Sequence, residues 1–168
     1  PEPVYQKTFA KELKRLSDSG IPTILLVGNH DQILKATASH SMSVFQSLEV
    51  PGVSVIESPQ LLKIKSKNGE LQLIGIPHVT RHLLMTHEKY GRLDANETDQ
   101  VLVKHVGDIL QNFYSQLDPS LPTVATAHMM MDTARAGQEQ ELLVGYSMTF
   151  PLGLFIDERL DYVALGHV

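Results

Sequence analysis

The sequence has no cysteine, no tryptophan and fewer basic than acidic side chains. Without cysteine the chain cannot form disulfides, cysteine-ligated zinc sites, iron–sulfur clusters or a thiol nucleophile, so His, Asn, Asp and Glu remain as candidate ligands. The 14 Lys and Arg residues against 19 Asp and Glu give a net charge of −5. Because this leaves no bulk basic field, any contact with nucleic acid must be local.

Long apolar runs are also absent. The longest, such as residues 21–27, fall far short of the roughly 18 residues that a membrane span needs, and no secretory leader opens the chain. We therefore expect a cytoplasmic protein with no membrane partner. The 168 residues, 42% of them hydrophobic, suit a single domain over residues 1–168. Because the chain starts at Pro1 and stops directly after a strand-like run, we expect an excised fragment.

Apolar periodicity predicts an α/β fold. The predicted helices cover residues 3–18, 41–48, 80–90 and 97–117, and the predicted strands cover residues 21–27, 53–56, 60–65, 70–76, 122–127 and 162–165. Residues 142–144 are ambiguous, and residues 67–69 indicate a hairpin turn between two strands. Short, continuously apolar strands such as the one at 21–27 are typical of sheets covered on both faces.

Three of the predicted strands end at a residue of metal-ligand type. Asn29, His128 and His167 each follow a buried apolar run. Loops at the carboxyl ends of the strands form the binding crevice of open α/β sheets, so we expect these three residues to converge at one edge of one sheet. Neutral imidazole and amide oxygen suit divalent first-row ions. A single strand-end histidine is more often a hydrogen-bonded structural residue, and the joint pattern favours a shared site.

The other histidines carry less information. His40, His82, His87 and His105 lie on predicted helices or loops without a partnered motif, and we interpret them as solvated. His78, at a strand end after Pro77, is left open.

The residues at these strand ends resemble three motifs of the calcineurin-like metallophosphoesterases. Gly28-Asn29-His30-Asp31, the isolated His128 and the terminal Gly166-His167-Val168 are similar to the third, fourth and truncated fifth motifs of that superfamily, in the same order. Within it, the chain resembles the SbcD-type DNA nucleases. That likeness extends over the segments 21–22, 75–77, 145–151 and 161–167.

The resemblance implies two packed mixed sheets flanked by helices, here as a partial domain. It also implies two divalent ions, typically Mn²⁺, that clamp the attacking and leaving oxygens of a phosphodiester. Carried over by motif, Asn29, His128 and His167 bind the second ion. His30 is the catalytic residue that protonates the leaving oxygen or stabilises charge in the transition state.

Four further residues receive supporting roles by the same resemblance. Gly28, Asp31 and Gly166 hold the loops around the ligands. Arg81 lies in a loop where a nuclease could contact a DNA phosphate, although the start of a surface helix explains it as well.

The chain also departs from the family pattern. The Asp-x-His and Gly-Asp motifs, which supply the bridging carboxylate, and the second His of the last motif are absent from residues 1–168. Three neutral ligands cannot neutralise two dications, so we expect an incomplete binuclear site and no nuclease turnover from this chain alone.

The resulting hypothesis is a metal-dependent DNA exonuclease or endonuclease of double-strand-break repair and recombination, associated with the nucleoid. Its implied partners are DNA, an SbcC-type ATPase subunit and a second copy of the chain, bound through the helices near Phe9 and Phe45. Two alternatives stay open. One is a generic phosphoesterase that acts on nucleotides or phosphoproteins, and the other is a metal-free interaction module with the same fold.

Overall fold

The computed structural model describes residues 3–29, 31, 42–80, 93–133 and 148–167. Their helices are α1 (Pro3–Asp18), α2 (Ser43–Ser47) and α3 (Ala95–Ser115), with a 3₁₀ turn at Leu152–Phe155. Their strands are β1 (Thr23–Leu26), β2 (Val53–Ile56), β3 (Gln60–Ser66), β4 (Gly69–Ile76), β5 (Thr123–His128), β6 (Met130–Met131), β7 (Thr149–Phe150) and β8 (Tyr162–Gly166). The predicted helix at 80–90 and the ambiguous residues 142–144 fall in the parts outside this description, apart from Thr80.

The strands form three sheets. The largest has four strands in the order β3-β4-β5-β8, with β3 antiparallel to β4 and the other pairs parallel. Strands β1 and β2 form a separate parallel pair, as do β6 and β7. The chain is therefore a mixed α/β fold with mixed sheets and flanking helices, and the predicted fold class is confirmed.

Helix α3 supplies one wall of the main core. Asp94 accepts a hydrogen bond from the Glu97 backbone N–H, and the Glu97 side chain accepts one from the Asp94 N–H. This capping box starts the helix at Ala95, two residues earlier than apolar periodicity alone predicted. The buried apolar stripe of α3 packs on the four-stranded sheet and includes Leu102, Val106, Leu110 and Tyr114.

The two-stranded sheet of β1 and β2 packs closely on the four-stranded sheet. Ile56, at the end of β2, is fully buried and lies against Gly75 of β4 so tightly that a Cβ on Gly75 would overlap it. The Val27 N–H donates to the Ile56 carbonyl, and the Val27 carbonyl accepts from the His78 N–H at 2.9 Å. This close approach brings the end of β1 beside the end of β4.

None of the described helices is long and apolar enough to cross a membrane.

Candidate metal centre

The structure brings Asn29, His128 and His167 together, but at the meeting point of two sheets. Asn29 follows β1 of the two-stranded sheet, whereas His128 ends β5 and His167 follows β8 in the four-stranded sheet. The prediction that all three lie at the edge of one sheet is therefore wrong in that respect. Strand β1 pairs with β2 instead, and Asn29 reaches the larger sheet because Val27, two residues earlier, hydrogen-bonds to both Ile56 and His78.

Asn29 and His128 contact each other directly. The Asn29 Oδ1 atom lies 2.9 Å from His128 Nε2, although the two residues are 99 positions apart. Two donor atoms bound at right angles to one ion, each at about 2.1 Å, are about 3 Å apart. Because amide oxygen and imidazole nitrogen are both ligands of divalent first-row ions, this pair fits a shared cation.

His167 lies beside His128 in a strained backbone conformation. The two ring centroids are 5.1 Å apart, with the ring planes tilted by 36°. The φ angle of His167 is +67°, in the left-handed region that a side chain other than glycine rarely adopts. Such conformations cluster at functional sites, where the surrounding structure holds them.

Two glycines cradle the His128 ring. A Cβ on Gly28 would lie 3.0 Å from both Cε1 and Nε2 of His128, and a Cβ on Gly166 would lie 3.0 Å from Nδ1. Each contact is shorter than a real Cβ tolerates without a shift of its neighbour. The lack of a side chain at both glycines therefore leaves room for the imidazole in this position.

Asp31 holds the turn that presents Asn29. Its carboxylate oxygen Oδ2 accepts a hydrogen bond from the Gly28 N–H at 3.0 Å, and its own N–H donates to the Gly28 carbonyl at 3.2 Å. These two bonds close the loop after β1 on both sides of Asn29. The geometry gives Asp31 a part in shaping the loop.

Curated relatives of the chain point to one group of proteins. The chain is 25% identical over 173 residues to SbcD, the D component of the nuclease SbcCD of Escherichia coli, in an alignment that covers 99% of this chain and 42% of that protein. It is 30% identical over 98 residues to the DNA double-strand break repair protein Mre11 of Sulfurisphaera tokodaii, covering 58% of this chain and 24% of that protein. The chain is a homologue of SbcD and Mre11. Both relatives belong to the calcineurin-like metallophosphoesterase superfamily, so the resemblance read from the motifs is confirmed.

This SbcD homologue spans less than half of the length of the SbcD proteins it matches, 42%. No protein-family model matches the chain.

Over its described residues, no three side chains of the His, Asp or Glu type are arranged to hold one ion together. Among the described residues, the candidate donor set is the pair Asn29 and His128 with His167 alongside, and this set carries no carboxylate.

Most of the remaining predicted residues lie outside the part of the chain that the structure describes. His30 and Arg81 lie outside the described residues, as do His40, His82 and His87. His105 is exposed on α3, as expected for a solvated histidine.

Sequence reasoning left one neighbour of the site unassigned. His78 follows the end of β4, and its ring lies close to both His128 and His167, with centroids 5.9 Å and 5.5 Å away. The pattern that identified Asn29, His128 and His167 could also have identified His78, because His78 likewise follows a buried strand, β4, that is parallel to its neighbour β5. Its predicted strand was paired only with its hairpin partner, so its place beside β5 was not foreseen.

Proposed function

We propose that this chain carries the second-ion half of a divalent-metal phosphodiesterase that cleaves DNA during double-strand-break repair. The observation that carries the proposal is the 2.9 Å approach of Asn29 Oδ1 to His128 Nε2, with the His167 ring 5.1 Å from that of His128. Homology to a nuclease component and a double-strand-break repair protein supports DNA as the substrate class.

In this proposal Asn29, His128 and His167 hold one cation, typically Mn²⁺. Gly28 and Gly166 leave room for the His128 ring. A bound divalent ion supplies charge stabilisation at the phosphoryl oxygens and lowers the pKa of bound water. Neutral ligands leave most of that positive charge available to a phosphate, since they cancel none of it.

His30 is proposed as the proton donor to the leaving oxygen. It immediately follows the candidate ligand Asn29 in the sequence. Imidazole titrates near neutral pH and can donate a proton under physiological conditions.

The proposed partners are DNA, an SbcC-type ATPase subunit and a second copy of the chain, and the proposed location is the cytoplasm, on the nucleoid. A metal-free interaction module of the same fold is the second candidate. The observation that favours it is the lack, among the described residues, of three His, Asp or Glu side chains arranged around one point.

A pair of substitutions separates chemistry from metal binding in the protein encoded by the complete open reading frame. We expect His30→Gln to lower Mn²⁺-dependent DNA cleavage by roughly 10² to 10⁴ while Mn²⁺ affinity stays within about twofold, because a positioned acid contributes to turnover and not to ion binding. We expect His128→Ala to weaken the binding of one ion, with activity partly restored by added Mn²⁺. Isothermal titration with Mn²⁺ and a plasmid or hairpin cleavage assay measure the two effects.

His105→Ala is the matched control, since it removes an exposed histidine of α3 far along the chain from the candidate ligands. If His30→Gln and His128→Ala lose Mn²⁺ affinity equally, His30 is a ligand and the assigned role is wrong. If the unmodified protein binds no Mn²⁺ and cleaves no DNA, the interaction module is the better description.

A further inference from the structure

His78 lies where the two sheets meet. Strand β4 lies beside β5, and β5 lies beside β8, all three parallel, so His78, His128 and His167 follow three adjacent strand ends. The His78 N–H donates to the Val27 carbonyl at 2.9 Å, which ties the residue to the strand that leads into Asn29. His78 is thus bonded to Val27, directly after β1, while its ring contacts both site histidines.

The three imidazole rings form a triangle with centroid separations of 5.1, 5.5 and 5.9 Å. The His78 ring stands nearly perpendicular to its neighbours, at 79° to His128 and 65° to His167. Perpendicular, edge-to-face packing is the arrangement that aromatic rings favour at these distances. A ring held in this way restricts the rotation of both neighbours about their terminal side-chain torsions, which are otherwise broad.

The contacts of His78 favour packing over ligation. The three ring centroids lie within 5.9 Å of one another. Even so, no three His, Asp or Glu side chains among the described residues are arranged to hold one ion. His78 therefore contacts its two neighbours through its flat aromatic ring.

We propose that His78 is a positioning residue, whose ring fixes the orientation of the His128 and His167 imidazoles for a divalent cation. This inference rests on the proposed function, because it assigns His78 a part in the same site. Residues that orient metal ligands without touching the ion typically change metal affinity by 10- to 100-fold when removed.

The test compares His78→Phe, which keeps a flat ring and removes both nitrogens, with His78→Ala, which removes the ring. Carbon-13 relaxation of the His128 and His167 ring C–H groups in the metal-free protein reports their motion directly, and isothermal titration with Mn²⁺ reports affinity. We expect His78→Ala to increase the ring motion and to weaken Mn²⁺ binding roughly tenfold. We expect His78→Phe to stay close to the unmodified protein in both measurements, as His105→Ala should.

Two other outcomes overturn the inference. If His78→Phe binds Mn²⁺ as weakly as His78→Ala, a nitrogen of His78 is required and the residue acts as a ligand. If His78→Ala changes neither measurement, the ring positions nothing. Should the unmodified protein bind no Mn²⁺, the proposed metal site fails, and ring motion in His78→Ala against His78→Phe alone decides the role of His78.

Discussion

Two glycines leave the space in which the His128 ring lies. Gly28 and Gly166 flank the ring, and an alanine at either position would place a Cβ 3.0 Å from its atoms. Neither glycine is needed for an unusual φ angle, since only Gly20, Gly52 and Gly69 among the described glycines have positive φ. Their role is to leave space, which makes each of them sensitive to a single methyl group.

We predict that Gly166→Ala moves the His128 imidazole and weakens the proposed Mn²⁺ binding by about tenfold, because the imidazole must shift or rotate to relieve the contact. The matched control is Gly153→Ala, where a new Cβ meets nothing within 4 Å. Isothermal titration of both variants checks the prediction, with circular dichroism to verify folding. Equal Mn²⁺ affinity in the two variants would contradict it.

At the scale of single elements, one arginine joins the end of α3 to the segment between the 3₁₀ turn and β8. Arg159 donates two hydrogen bonds at 2.7 Å to the Asp157 carboxylate and lies 5.0 Å above the Tyr114 ring. The Tyr114 hydroxyl donates to the Leu154 carbonyl at 2.8 Å. Burial, and then the charge of Asp157, raise the pKa of Tyr114 to about 12, so this hydroxyl stays protonated at neutral pH.

The Asp157–Arg159 ion pair predicts that part of the free energy of unfolding is lost in acid. Hydrogen bonds from the Arg159 side chain hold the pKa of Asp157 at about 2, below its ordinary value of 3.8. Because the folded-state pKa is the lower one, the stabilisation is complete above the ordinary value and is lost as the pH falls toward 2. We expect Asp157→Asn to lower the free energy of unfolding at pH near 6 more than at pH near 3.

Urea unfolding at the two pH values measures this difference. Asp108→Asn is the control, since Asp108 pairs with Lys104 at 2.6 Å on the exposed face of α3, where ion pairs contribute little. A pH dependence of stability that is the same in Asp157→Asn and in the unmodified protein would exclude the proposed contribution.

For the whole molecule, the packing of the two sheets sets the site. Ile56 of β2 fills the space that Gly75 leaves on β4, and the same approach brings β1 and its Asn29 to the strand ends of the larger sheet. We predict that Gly75→Ala lowers the free energy of unfolding by about 1 to 3 kcal/mol, the usual cost of overpacking. Adding Ile56→Val, which removes Cδ1, should recover part of that loss.

A double-mutant cycle in urea measures the coupling between Gly75→Ala and Ile56→Val. If the two changes simply add, the sheets relax independently and this contact does not set their spacing.

The face formed by α1 and α2 is the second feature at this scale. The Phe9 and Phe45 rings meet at 5.4 Å in an edge-to-face contact, and Val4 and Tyr5 of α1 and Leu48, directly after α2, are exposed. We predict that this apolar face pairs with a second copy of the chain, because an interface there would remove these exposed apolar side chains from water. Phe45→Lys should then convert a dimer to a monomer.

Light scattering after size-exclusion chromatography measures the mass of each form. Ile156→Lys, a change at an exposed apolar residue that belongs to neither helix, should leave the dimer intact. A monomer in the unmodified protein would show that the helices present no dimer interface.

The sequence by itself predicted most of the described elements, although not β6, β7 or the 3₁₀ turn, and it located three candidate ligands at strand ends. Helix 3–18 and strand 53–56 match the structure residue for residue, because local periodicity reflects which side of an element is buried. The strand-end positions of Asn29, His128 and His167 were also readable, since an apolar run that ends at a polar residue is a local pattern.

Only the tertiary structure decided which sheet each strand joined and which side chains met. The separate pairing of β1 with β2, the place of His78 beside two other imidazoles and the fully buried Gln72, which bonds to Asp118 and Thr123, all depend on contacts between distant segments. Strand order and the fit of Ile56 against Gly75 depend on side chains that pack between the sheets. That packing has no period along the chain, so no local pattern in the sequence records it.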